Sequence, residues 1–232
     1  MNRSISVVIS ALNEEKNIQA SIETMIDILE RQKFDYEILV FNDGSVDRTG
    51  EIAENLAKRF PRIKVIHNSP NQGLAHIART AFQIATKEYL TWFPGDNSIV
   101  KESMEHILAA IVQAEVIVGY LSNTKDRPLI RRILSKSFAL TLNTLFDLNL
   151  YHYTGTFVYP IALLRTVPTK ATGYDFFAEL LIRSLKRGVS YKQVPFLHKT
   201  DNEKSSKAFS RRNATSTFRT IFMLITEINF KT

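Results

Sequence analysis

Asn42-Asp43-Gly44-Ser45-Val46-Asp47-Arg48-Thr49 is the stretch on which the reading of this chain turns. It follows a mostly apolar run over residues 36–41 and precedes a helical pattern in which Ile52, Leu56 and Phe60 recur at i, i+4 and i+8 before Pro61. A carboxylate, a glycine and a hydroxyl at the end of a buried strand make a site for a polar ligand. The same arrangement occurs upstream, where residues 5–9 read as a strand and Ala11-Leu12-Asn13-Glu14-Glu15 leads into the next helix. It occurs again downstream, where residues 89–93 read as a strand ending in Pro94-Gly95-Asp96-Asn97. In a parallel sheet all three ends lie on one edge, where ligands bind.

From the start to about Gly119, short apolar runs alternate with amphipathic stretches, the pattern of βα units. Ile18, Ile22, Met25, Ile26 and Leu29 mark the first helix, and Gly73 opens another that runs to Ala85. Residues 101–114 read as a helix and 116–118 as the strand after it. Beyond Gly119 the rhythm breaks into a polar loop over 122–128, a long helix over 129–146, a strand at 156–159, a helix over 174–186 and a strand over 190–196. Residues 198–210 are mostly polar, whereas Phe218, Ile221, Phe222, Ile225 and Ile228 share one helical face. The organisation expected is one domain over 1–232, with a nucleotide-binding half (1–119), an acceptor half (120–210) and a C-terminal amphipathic helix (211–232).

A hydrophobic fraction of 44% and a charged fraction of 23% are ordinary for a globular protein. The absence of cysteine excludes disulfides, thiolate metal sites and a cysteine nucleophile. A formal charge of +7 points to an anionic partner such as a nucleotide, a lipid phosphate or a phospholipid surface, or else to a basic but ordinary surface. The first residues carry too short an apolar stretch for a secretory signal, and no apolar run approaches the ~20 residues of a membrane span. The expected location is cytoplasmic, or peripheral on a membrane. No glycine-rich dinucleotide or P-loop motif is present, the basic residues are spread along the chain, and nucleic acid is not an expected partner.

These segments together resemble the family-two glycosyltransferases of the GT-A fold, most closely the dolichyl-phosphate-mannose-synthase-like branch, and the resemblance covers nearly the whole chain. It implies an α/β fold with a mostly parallel central sheet flanked by helices. It also implies inverting transfer of a sugar from a UDP- or GDP-linked donor to a polyprenyl or dolichyl phosphate. On that resemblance the backbone of Ala11 with Asn13 and Glu14, together with Asp43 and Ser45, would hold the nucleotide. Asn13 and the acidic pair after it also suit a helix N-terminus. Gly44 would let the backbone turn against the ligand, and Gly73 would be architectural, with Asn71 beside it.

Pro94-Gly95-Asp96-Asn97 occupies the place of the family's Asp-X-Asp metal motif, with Pro94 where the first aspartate belongs. Asp96 with Asn97 would hold Mg2+ or Mn2+, the donor diphosphate completing the shell. Lys207, with Arg131, would meet anionic groups near the acceptor, although Asp201 stands where the branch has arginine, and Tyr120 and Leu121 follow Gly119 where it tends to have another. Asp175 and Glu179 lie one turn apart on a helix. Were the acceptor a hydroxyl, one of them would be the general base; otherwise they form a surface carboxylate pair. The helices at 129–146 and 217–229, with Arg131, Arg132, Lys136, Arg211, Arg212 and Arg219, suit a peripheral membrane surface or pack on the protein's own core. A non-catalytic nucleotide-sugar-binding relative is the other reading that Pro94 allows.

Overall fold

The structure, a computed structural model, describes residues 3–173, 175–199 and 219–229. In chain order the elements are β1 (Ser4–Ala11), α1 (Ile18–Arg31), β2 (Asp35–Asp43), α2 (Thr49–Arg59), β3 (Ile63–Asn68), α3 (Leu74–Ile84) and β4 (Tyr89–Pro94). They continue with α4 (Lys101–Ala109), β5 (Val116–Leu121), α5 (Leu129–Phe146), β6 (Phe157–Pro160), α6 (Ile161–Thr166), α7 (Phe176–Leu185) and β7 (Tyr191–Phe196). A last helix, α8, covers 219–229 and ends in a π-helical turn, Ile225–Asn229.

The strands form one sheet in the order β3-β2-β1-β4-β6-β5-β7. Every neighbouring pair is parallel except those of β6, which runs antiparallel to both β4 and β5. Alternation along each strand divides the core between the two faces. Val7, Ile9 and Val40 pack with Ile22, Met25, Leu29 and Ile107 of α1 and α4. Val8, Leu39, Phe41 and Trp92 pack with Phe82, Leu142, Phe176 and Leu181 of α3, α5 and α7. The five apolar positions expected to mark α1 are all buried, each contributing about 1.5–3 kcal/mol through its removal from water. α2 stops where Phe60 turns extended ahead of Pro61, because the residue before proline is kept out of the helical region.

Several expectations are refined. The helix expected over 101–114 ends at Ala109 and tightens into a 3₁₀ turn (Ala110–Gln113). The loop at 122–128 contains a 3₁₀ turn (Thr124–Asp126), and α6 follows β6 without having been anticipated. Of the expected C-terminal helix, 219–229 is helical, and the remainder lies outside the described residues. Among the described residues no helix is long and apolar enough to cross a membrane.

Candidate functional site

The register sets Ala11 beside Asn42, and Ser10 beside both Phe41 and Pro94, so the ends of β1, β2 and β4 form one continuous edge. The loops leaving β1 and β2 are stitched to one another. Asn13 N–H donates to Ser45 Oγ (3.0 Å) while Asn13 Oδ1 accepts from Val46 N–H (2.9 Å). Glu14 N–H donates to Thr49 Oγ1 (2.8 Å) and Glu15 N–H to Asp47 Oδ2 (3.2 Å). Burial pushes the Asp47 carboxyl up, but bonds from Thr49 and Glu15 outweigh it and the net shift is downward. Asn13 takes a left-handed φ of 56° and does not cap α1, which begins after Asn17.

Asp43 is 4% exposed and braces the turn before α3. Its Oδ1 accepts from Asn68 Nδ2 (2.8 Å) and Gln72 N–H (2.9 Å), and its Oδ2 accepts from Gly73 N–H (2.9 Å). Its carbonyl accepts from Asn71 Nδ2 (2.9 Å). Gly44, at φ 80°, passes so close to Asn71 that a Cβ would fall 2.7 Å from the Asn71 nitrogen. At Gly95 a Cβ would fall 2.6 Å from the Ser10 carbonyl oxygen, so glycine here lets the turn after β4 lie against β1.

In that turn Asn97 N–H donates to the Pro94 carbonyl (3.1 Å), and Asp96 Oδ1 accepts from Ser98 N–H (3.0 Å). Asn97 is left-handed (φ 53°), and its Oδ1 is buried with no hydrogen-bond partner. An orphaned carbonyl oxygen next in sequence to a carboxylate fits a hard divalent cation. Among the described residues no group of three or more histidines, cysteines or carboxylates could hold a metal. Asp96 and Asn97 therefore suit a cation that brings other oxygen ligands with it.

A basic cluster lies near this turn; the sequence points to Arg131 and Arg132 of it but not to Arg127, His152 or His198. Arg127 is pushed down from the usual arginine value by burial and by Arg131. His152, whose Nε2 lies 3.3 Å from Ser135 Oγ, is pushed down by burial and then by Arg127. His198 is likewise lowered by burial and by Arg127, with Asp96 opposing the shift. Neither Arg127 nor Arg131 has an ion-pair partner among the described residues, and Arg132 Nε is buried without a hydrogen bond. The signal that was available is the arginine run at the head of α5, whose first turn carries no acidic residue.

Asp175 and Glu179 are not a surface pair. Glu179 is 0% exposed, its Oε2 accepting from the backbone N–H groups of Lys170 (2.9 Å) and Ala171 (2.7 Å) and its Oε1 from Arg183 Nε (2.8 Å). Both oxygens are thus committed, and the geometry makes Glu179 a brace rather than a base. Asp175 is buried and accepts from Thr220 of α8. Arg183 also reaches Glu227 of α8 at 2.6 Å, and Lys170 reaches it at 2.5 Å. Lys207 lies outside the described residues.

The sequence profile of glycosyl transferase family 2 matches residues 6–171. The chain belongs to this family. Curated relatives of this glycosyl transferase family 2 chain include the uncharacterized glycosyltransferase EpsJ of Bacillus subtilis, 36% identical over 115 residues, which cover 48% of this chain and 33% of that protein. The dolichol-phosphate mannosyltransferase of Pyrococcus furiosus is 26% identical over 201 residues, covering 83% of this chain and 55% of that protein. The chain thus spans a third to about half the length of these relatives. Among solved structures, glucosyl-3-phosphoglycerate synthase from Mycobacterium tuberculosis in complex with Mn2+, UDP and glucosyl-3-phosphoglycerate is similar with a TM-score of 0.66 at 18% identity. That match covers 98% of this chain and 80% of the other. The fold is the GT-A α/β fold.

Proposed function

We propose that this chain transfers a sugar from a nucleotide-diphospho-sugar to an acceptor bearing an ionised phosphate, with a polyprenyl or dolichyl phosphate as the acceptor and inversion at the anomeric carbon. One observation carries the acceptor class. Arg127, Arg131 and Arg132 stand without ion pairs among the described residues, beside a run of apolar side chains left in solvent: Leu129 (66% exposed), Ile130 (71%), Ile133 (53%) and Leu134 (46%). Cations next to exposed apolar surface suit an anionic head on an apolar tail. The printed name of the Pyrococcus furiosus relative supports the same class.

The donor would lie along the edge formed by β1, β2 and β4. The backbone of Ala11, with Asn13 and Glu14, would face the nucleotide, and Asp43 and Ser45 would hold the two loops that frame it. Asp96 and Asn97 would hold Mg2+ or Mn2+, which when bound neutralises charge on the leaving diphosphate. The solved neighbour's complex with Mn2+ and UDP supports that cofactor. Arg127 and Arg131 would hold the acceptor phosphate so that one oxygen faces the anomeric carbon. That oxygen forms the new bond as the bond to the nucleotide diphosphate breaks. It is already ionised, so no proton has to be removed, in keeping with Glu179 having no free oxygen. The exposed face of α5, with Arg131, Arg132 and Lys136, would rest peripherally on an anionic membrane.

Transfer assays with UDP- and GDP-sugars test this reading, using a short-chain polyprenyl phosphate, a soluble phosphate monoester and an uncharged glycan as acceptors. Product with the first alone is expected. Product with the glycan alone would replace it by hydroxyl transfer. Nucleotide binding without turnover would favour the non-catalytic relative suggested by Pro94.

A further inference from the structure

We infer that Tyr151, backed by Tyr120, is an apolar wall beside the acceptor phosphate and takes the isoprene unit to which that phosphate is attached. The inference rests on the phosphate-acceptor reading above and adds the residues that select the group carrying the phosphate. Residues 147–156 join α5 to β6 without helix or strand, yet two amide side chains pin the middle of this loop. Gln193 of β7 accepts from Tyr151 N–H through Oε1 (2.8 Å) and donates through Nε2 to the Asn149 carbonyl (2.9 Å). Asn143 of α5 accepts from Leu150 N–H (3.0 Å) and from the Tyr153 hydroxyl (2.7 Å), and donates to the Leu150 carbonyl (3.0 Å). The backbone on both sides of Tyr151 is thus fixed, while its side chain is 64% exposed. The Tyr151 ring lies 4.6 Å from that of Tyr120, tilted by 37°, so Tyr120 backs one side of it. An aromatic ring fixed by its own backbone and still open to solvent is ordered before any ligand arrives.

Position and chemistry point to an apolar group beside an anion. Tyr151 immediately precedes His152, which faces Arg127 and stands 3.3 Å from Ser135, one turn beyond Arg131 on α5. The ring is therefore next to the cations assigned to the phosphate. A sugar in this place would need hydrogen-bonding partners as well as a ring. The side-chain amides that hold the loop, Gln193 and Asn143, are turned to its backbone, so the ring itself is what the loop offers. An isoprene unit has only carbon and hydrogen to set against an aromatic face, and it leaves water when it does so. The unit bonded to the phosphate is the one whose place the phosphate fixes, so Tyr151 would read that unit and not the length of the chain beyond it.

The test is calorimetry with geranyl phosphate, methyl phosphate and glucose 1-phosphate, UDP or GDP being present, on the wild type, Tyr151→Ala and Tyr151→Phe. Circular dichroism verifies the fold of each variant. Geranyl phosphate should bind the wild type at least about tenfold more tightly than methyl phosphate, and Tyr151→Ala should weaken it about tenfold, the effect of burying roughly two methylene groups. Methyl phosphate should bind Tyr151→Ala as it binds the wild type, and Tyr151→Phe, which keeps the ring, should match the wild type with both esters. Unchanged geranyl phosphate affinity in folded Tyr151→Ala, or equal losses for both esters, would overturn the inference. Glucose 1-phosphate losing as much as geranyl phosphate would overturn it too, by making the ring a sugar platform. Methyl phosphate bound by the wild type with no gain for geranyl phosphate overturns it while leaving the phosphate site standing, whereas binding of neither ester removes both.

Discussion

Replacing Asp43 with asparagine takes one carboxylate oxygen from a turn that depends on both. The amide carbonyl can keep the bonds from Asn68 and Gln72. Its NH2 then meets Gly73 N–H, donor against donor, in place of the 2.9 Å bond. A hydrogen bond to a charged acceptor is worth about 1.5–3 kcal/mol, and a buried donor left unpaired costs about 1–3 kcal/mol, so the variant should lose roughly 2–4 kcal/mol. For a chain of this size each kcal/mol lowers the melting temperature by about 2–4 °C, giving an expected drop of roughly 4–16 °C. Asp43→Ala leaves all three donors without a partner and should fall further. Thermal unfolding followed by circular dichroism measures the loss, and calorimetry on the folded fraction measures nucleotide affinity. Both variants melting with the wild type while losing nucleotide would refute the brace and make Asp43 a direct ligand contact.

Glu179→Ala should cost about 2–4 kcal/mol in urea unfolding, because it leaves the Lys170 and Ala171 N–H groups without their acceptor and takes one of Arg183's two carboxylate partners, Glu227 remaining, while nucleotide affinity at low denaturant stays at the wild-type value. Bonds from Lys170 and then Arg183 hold the Glu227 carboxyl down at about 2. Because this pKa is depressed in the folded state, the tie on α8 is complete above the ordinary carboxylate range and disappears as pH falls from 4.5 towards 2. Protection of the 219–229 amides against exchange, taken relative to the intrinsic rate at each pH, should fall over that window and not at neutral pH. Sedimentation with anionic liposomes at low salt should exceed that with neutral ones, each basic residue near the surface contributing about 1 kcal/mol. Ile130→Glu should abolish it, and equal sedimentation with both lipids would remove the membrane surface from the reading.

The first half was legible because its signals are local: each strand is an apolar run, and the runs of β1, β2 and β4 are followed at once by polar turns. Asp43, Gly44 and Gly95 could all be placed at strand ends from their neighbours alone. What those residues bond to could not be placed, since Asn68, Gln72 and Gly73 reach Asp43 only through the fold. The second half hid more. Four residues of β6 show that they are apolar but not which way they run. Glu179 looked exposed because a charged residue on a helix usually is. Its burial depends on Arg183 one turn away, which was visible, and on the Lys170 and Ala171 backbone and on Glu227, which were not. Arg127 joined the site by the same route, through proximity to His152 and His198.

β6 also decides how the sheet carries load. Eight register pairs join β1 to β2 and six join β5 to β7, yet β6 meets β4 over three pairs and β5 over two. Beside it the join is reinforced by Thr91 Oγ1 on the Phe157 carbonyl (2.8 Å) and Gly119 N–H on the Thr156 carbonyl (2.9 Å). The sheet is therefore two longer-paired parts joined along a short ladder, one presenting the turns after β1, β2 and β4 and the other leading into the arginines of α5, with one core packed across the join on each face. The gap between those two sets of side chains is thus set by side-chain packing across the join more than by its few ladder hydrogen bonds.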